Sequence, residues 1–91
     1  KEWLDKVLKV VGYMEGSKVW RDKIVQITVC DGGELRMVPR RGQEIFQFGQ
    51  PVNIEDKFRR MEMYYSNIIP AKGADTYSSV SVEYDGQIVC K

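Results

Sequence analysis

At 91 residues the chain has room for one hydrophobic core, because a domain of this size buries only about 60 to 65% of the surface its unfolded form exposes. Its 43% hydrophobic and 30% charged residues exclude a disordered, collagen-like or coiled-coil chain. Fourteen basic against thirteen acidic residues leave a formal charge of +1, so the cationic field that a general nucleic-acid binder needs is missing.

Between Trp3 and Met14, the side chains Leu4, Val7, Leu8, Val11 and Met14 recur at steps of three and four, which predicts a helix with these residues on its buried face. Gly16-Ser17 ends it, and Trp20 is expected to pack back on the domain. Val25, Ile27 and Val29 alternate with Gln26 and Thr28, the period of a half-buried strand. Asp31-Gly32-Gly33 is the hairpin turn, since glycine accepts positive φ without a steric cost. The returning strand carries Leu35, Met37 and Val38 inward with Glu34 and Arg36 outward, and Pro39 ends it. After a turn at Arg40-Arg41-Gly42-Gln43, Ile45, Phe46 and Phe48 form a third strand ending at Gly49, which completes an antiparallel meander.

Asn53 is a good helix N-cap, Asp56 favours the first turn, and Ile54, Phe58, Met61, Tyr65 and Ile68 repeat at helical spacing. This second helix is expected to cover one sheet face until Pro70 and Gly73 stop it, with 71–76 as a loop. From Tyr77, alternation sets Ser78, Val80, Val82 and Tyr84 on one face and Ser79, Ser81 and Glu83 on the other. Asp85-Gly86 then turns the chain into Gln87-Ile88-Val89-Cys90. The expected fold is a single α+β domain over 1–91, with a mainly antiparallel meander sheet of about five strands and two helices, in the order α-β-β-β-α-β-β.

Chemistry is scarce. With no histidine the chain lacks the commonest general base, the usual metal ligand and every Ser-His or Cys-His nucleophile. Glu55, Asp56, Glu62 and Glu83 read as solvated faces, and the glycines lack the Lys-Ser/Thr and following helix of a phosphate-binding loop. Arg40-Arg41 and Arg59-Arg60 read as solvated side chains unless the fold gathers them. Helical spacing puts Met61 and Tyr65 in the core and leaves Tyr64 as the exposed tyrosine. Cys30 and Cys90 are too few for a disulfide scaffold and lack CxxC spacing, and whether they pair is left open. No apolar run approaches the roughly 20 residues of a membrane span, and the chain starts without methionine inside a helical pattern, so it reads as a piece of a longer protein.

Binding of another protein, not catalysis, is what remains, and the closing pair from Tyr77 to Cys90 is the expected docking surface. A last strand exposes unpaired N–H and C=O groups to which a partner strand can add. Alternation leaves two readings of Tyr84, either a continuation of the Val80 and Val82 core face or an exposed aromatic anchor.

Several short segments carry a more specific resemblance: Trp20-Arg21 before Ile24-Val25-Gln26-Ile27, Gly33-Glu34-Leu35 followed by Val38-Pro39-Arg40 and Gly42, and Phe48-Gly49. Lys57-Phe58 with Tyr64-Tyr65, and Tyr77-Ser78 leading to the run from Tyr84 to Lys91, complete it. In order and spacing the chain resembles the C-terminal β domain of the bacterial FtsQ/DivIB cell-division proteins, in their Bacteroidetes form. The resemblance implies a bitopic inner-membrane protein with a cytoplasmic tail, one transmembrane helix and a POTRA domain before this periplasmic domain at the division septum. It further implies a scaffold without enzymatic activity or cofactor, recruiting FtsB-like and FtsL-like partners. In that family the last strands take up a partner strand, and the resemblance implies that the matching positions here are Glu83, Tyr84, Asp85 and Gly86, with Gln50 helping to hold it. Together with the edge-strand argument this narrows the surface to Glu83, Tyr84, Asp85, Gly86, Gln87 and Ile88 with Gln50. Two positions depart from the pattern, since Glu83 stands where relatives often have a basic residue and Gln50 where they often have arginine. A small-ligand or cell-wall-binding module with a pocket under the second helix is the rival from another class.

Overall fold

The computed structural model describes residues 2–73, 76–84 and 86–91. Helix α1 spans Glu2–Gly16, and its buried stripe is Trp3, Val7, Val10 and Met14, with Val10 fully enclosed. Leu4 and Leu8, expected inside, are 53% and 59% exposed. The rotation is set by Trp3, whose indole N–H donates to the Gly33 carbonyl at 3.0 Å. Trp20 packs back as expected, 1% exposed and tilted against Phe58.

Strand β1 (Ile24–Val29) pairs antiparallel with β2 (Leu35–Pro39), and β2 pairs likewise with β3 (Ile45–Gly49). The turn between β1 and β2 holds Gly32 and Gly33 at φ of 84° and 82°, as its glycines predict. Leu35, Met37, Phe46 and Phe48 face the core, while Glu34 and Arg36 face out. In β1 the expectation fails in part: Ile24 is buried and Ile27 half-buried, but Val25 and Val29 are each 51% exposed. A bulge between Ile24 and Gln26 disturbs the alternation, and β1 lies at the sheet edge where fewer neighbours cover it.

Helix α2 (Ile54–Met63) runs into a π-helical turn, Tyr64–Ile68, and a short third helix α3, Ile69–Lys72. Residues 71 and 72, expected in a loop, are therefore helical, and Ala74 and Asp75 lie outside the described residues. Asn53 stands at the N-cap in a left-handed conformation, and its side chain makes no capping bond. Phe58 is the hub of the core, with the rings of Tyr13, Trp20 and Phe48 at 5.1, 5.4 and 5.2 Å. Strands β4 (Ser79–Ser81) and β5 (Val89–Cys90) complete a five-stranded sheet in the order β1-β2-β3-β4-β5.

The fold is α+β, but the sheet is mixed and the element order is α-β-β-β-α-α-β-β. β4 lies parallel to β3, because the helical segment between them carries the chain back across the sheet before it re-enters in the same direction. Cys30 and Cys90 are free thiols at opposite edges of the sheet. Four strand spacings set those edges about 19 Å apart, beyond the reach of a disulfide.

The buried hydrogen bond between Glu44 and Tyr64 was not foreseen. Glu44, 2% exposed, accepts the Tyr64 hydroxyl at 3.0 Å on Oε2, and its Oε1 has no partner. Tyr64 is thus fully buried, while Tyr65 is only half-buried, the reverse of the expected pair. Burial, then the hydrogen bond to Glu44, push the Tyr64 hydroxyl well above its usual range, and burial and Glu44 do the same to Tyr65.

A Cβ at Gly33 would meet the Trp3 indole nitrogen at 2.6 Å in a backbone conformation that side chains rarely adopt. Gly33→Ala should therefore lower stability by about 2 kcal/mol in urea unfolding. Tyr64 remains protonated in the folded state above the pH at which it ionises in the unfolded chain, so its contribution is complete below about pH 10 and falls as pH rises further. Tyr64→Phe should cost about 1 to 3 kcal/mol at neutral pH, because it strands the Glu44 carboxylate. It should also flatten the decline above pH 10, which paired urea titrations at pH 7 and pH 11 would measure.

Candidate functional site

The closing strands present one free edge. Ser79 and Lys91 exchange both main-chain bonds, N–H to C=O at 3.1 Å and back at 2.9 Å. Antiparallel alternation then points the Val89 groups toward β4, opposite Ser81, and the N–H and C=O groups of Ile88 and Cys90 away from it. On its other side β4 is bonded to β3, with Ile45 N–H donating to Ser78 at 3.0 Å and Val82 N–H to Gln47 at 3.1 Å. β4 is thus interior and β5 is the edge.

The expected site residues divide by role. Tyr84 is 60% exposed and so does not continue the core face, on which Val80 and Val82 are fully buried. Glu83 lies against Gly49, where an added Cβ would stand 2.8 Å from its Cγ, and its carboxylate accepts the Ser81 hydroxyl at 3.2 Å. Gly86 takes a positive φ of 68° in the turn, and Ile88 packs in part against the core. Asp85 lies outside the described residues. Gln50 follows Gly49 at the end of β3, but its side-chain amide donates to the Gly32 carbonyl at 2.9 Å, in the turn after β1. On the open sheet face Ser79, Ser81, Glu83, Tyr84 and Lys91 border a shallow concavity of about 170 Å³.

Sequence reading missed the residue that holds this hairpin. Arg60, expected on a solvated face, is 4% exposed and reaches from α2 to the carbonyls of Tyr84 at 2.6 Å and Gln87 at 2.5 Å. These are the two ends of the turn, itself closed by Gln87 N–H to Tyr84 at 3.2 Å. The Arg60 Nε donates to Asp56 at 3.0 Å, and Arg59 pairs with the same carboxylate at 2.5 Å. Burial pushes the Asp56 carboxyl up, but the two guanidiniums outweigh it and hold it below its usual range. The only advance signal was the i,i+4 spacing of Asp56 and Arg60.

The arginine pairs go to different places. Arg40 and Arg41 border a concavity of about 360 Å³ with Lys23 and Tyr65, while Arg59 borders an open groove of about 690 Å³ between α1 and the start of α2. Among the described residues no group of three His, Cys, Asp or Glu converges to hold a metal ion, and no helix is long and apolar enough to cross a membrane.

A family model described as "FtsQ/DivIB, C-terminal related" matches residues 1–91. No curated protein and no solved structure matches the chain.

Arg60→Met keeps the aliphatic stem but removes the donors to Tyr84 and Gln87. It should cost about 2 to 3 kcal/mol and speed amide exchange selectively in the Tyr84–Gln87 turn, as hydrogen-exchange mass spectrometry would show. Uniform loosening of the whole domain would contradict a local clamp.

Proposed function

The chain belongs to the FtsQ/DivIB C-terminal related family, and from that membership we propose that it is a non-enzymatic scaffold domain that takes up a partner strand at β5. The family ties it to the division apparatus. The proposed partners are FtsB-like and FtsL-like division proteins. The proposed setting is the periplasmic face of the inner membrane at the septum, with a transmembrane helix and a POTRA domain elsewhere in the full-length protein.

The observation that carries this reading is the free edge of β5 beside an exposed tyrosine. The outward N–H and C=O groups of Ile88 and Cys90 supply main-chain pairing, and Tyr84 supplies an aromatic anchor next to it. Glu83 and Lys91 border the same concavity, so the partner meets both signs of charge there. Gln50 contributes through position alone, because its amide is held by Gly32.

Tyr84→Ala should weaken binding of an FtsB-like peptide at least about tenfold in titration calorimetry, with an unchanged circular dichroism spectrum. Ile88→Pro removes an outward donor without touching the β4–β5 ladder and should abolish binding in a folded protein. Val89→Pro, whose N–H faces β4, should instead destabilise the domain. A folded Ile88→Pro protein with wild-type affinity would move the interface away from this edge.

A further inference from the structure

The fold separates the two arginine pairs and joins one of them to a lysine. Ile24 and Pro39 are register partners where β1 begins and β2 ends. Just beyond that pair, Arg40 N–H donates to the Lys23 carbonyl at 2.7 Å, and Arg40 Nε donates to the Asp22 carbonyl at 2.8 Å. Arg41 follows, and these residues border the concavity of about 360 Å³ together with Pro39 and Tyr65. The Lys23 ammonium stands 4.2 Å from the centre of the Tyr65 ring. Three cations thus border one concavity against a single carboxylate, that of Asp22. Among the described residues none of the three has an ion pair, whereas Arg59 and Arg60 share Asp56.

Like charges around one concavity repel one another, and a cleft lined mainly by one sign of charge focuses its field on the space it encloses. An oxyanion placed there relieves the repulsion and accepts guanidinium donors, whose fork matches carboxylate and phosphate alike. The two bonds of Arg40 hold it in place before anything binds, which lowers the entropy lost on binding. The volume lies near the small end of ligand sites, about 300 to 1,000 Å³, and Tyr65 and Pro39 give the space an apolar wall. A nucleic acid or an anionic membrane needs many cations spread over a face, and a chain of net charge +1 with three of them in one concavity does not supply that. We propose that the concavity between Lys23, Arg40 and Arg41 binds a small ligand carrying one oxyanion, a phosphate or a carboxylate, on an aromatic body. It shares no residue with the concavity beside β5, so this site and strand uptake at β5 are independent.

Phenyl phosphate and benzoate carry the two oxyanions on the same ring, and benzyl alcohol is the uncharged control. Titrated into isotope-labelled protein and followed by NMR, at least one of the two anions should bind with a dissociation constant of about 1 mM or tighter. The amide shifts should centre on Lys23, Arg40 and Arg41, and the tighter ligand identifies the preferred oxyanion. Benzyl alcohol should bind at least about tenfold more weakly. Lys23→Gln with Arg41→Gln should weaken anion binding at least about tenfold without changing the circular dichroism spectrum. Arg36→Gln removes a cation that is bonded to Gln47 on the open sheet face and should leave the affinity unchanged. Anions that bind no better than benzyl alcohol, shifts centred elsewhere, a folded double variant of wild-type affinity, or an equal loss in Arg36→Gln would each overturn the proposal.

Discussion

The position of the closing hairpin depends on one buried cation. Desolvating a guanidinium is costly unless its donors find acceptors, and Arg60 finds two main-chain carbonyls and the Asp56 carboxylate while its Nη2 finds none. An apolar side chain of similar size would fill the same space without that desolvation, but it would leave the Tyr84 and Gln87 carbonyls without their donor. Nor would it fix both ends of the Tyr84–Gln87 turn to α2. Beyond the stability its bonds supply, the arginine therefore sets where the last strand lies. That role matters because β5 is too short to set its own register firmly.

The same helix sets the direction in which the closing hairpin runs. The helical crossover returns the chain parallel to β3, and β5 then pairs antiparallel with β4 at the sheet edge. Had the chain turned back directly as a fourth meander strand, β4 would lie antiparallel to β3, and the closing turn would not sit within reach of α2. Lys57 adds to this anchoring from the next turn of α2, donating to the Gln50 carbonyl at 2.8 Å and passing 5.0 Å from the Phe48 ring. Two long cations from one helix thus tie down the loop after β3 and the turn before β5.

Much of this was legible in the residues. The alternation of Leu35, Met37, Phe46 and Phe48, the hairpin glycines and the cover supplied by Phe58 and Met61 follow from period and turn chemistry alone. What was not legible depends on contacts between distant residues. Trp3 finds Gly33 thirty positions away and rotates α1, which exposes Leu4 and Leu8. Glu44 finds Tyr64 and inverts the expected tyrosine pair. The parallel pairing of β3 with β4 has no local signature, because a strand shows the same alternation whichever way its neighbour runs. For the proposed site, exposure at Tyr84 was one of two readings that alternation allowed, and the clamp at Arg60 was masked by a composition rule that places arginines in water.

The length of β5 limits how a partner can be held there. Ile88 and Cys90 offer main-chain groups worth about 1 kcal/mol net per hydrogen bond, a few kcal/mol in all. Association alone costs about 4 to 15 kcal/mol in lost freedom of motion, so main-chain pairing on this edge falls short by itself. The remainder must come from side chains, and beside β5 the large exposed apolar candidate is Tyr84, set at the end of the turn that Arg60 clamps. A rigid anchor loses less entropy on binding than a mobile one, which on the proposed reading gives the clamp a reason beyond the fold. On the proposed reading, binding at this edge therefore needs both the strand, which supplies direction and register, and Tyr84 set on the arginine beneath it.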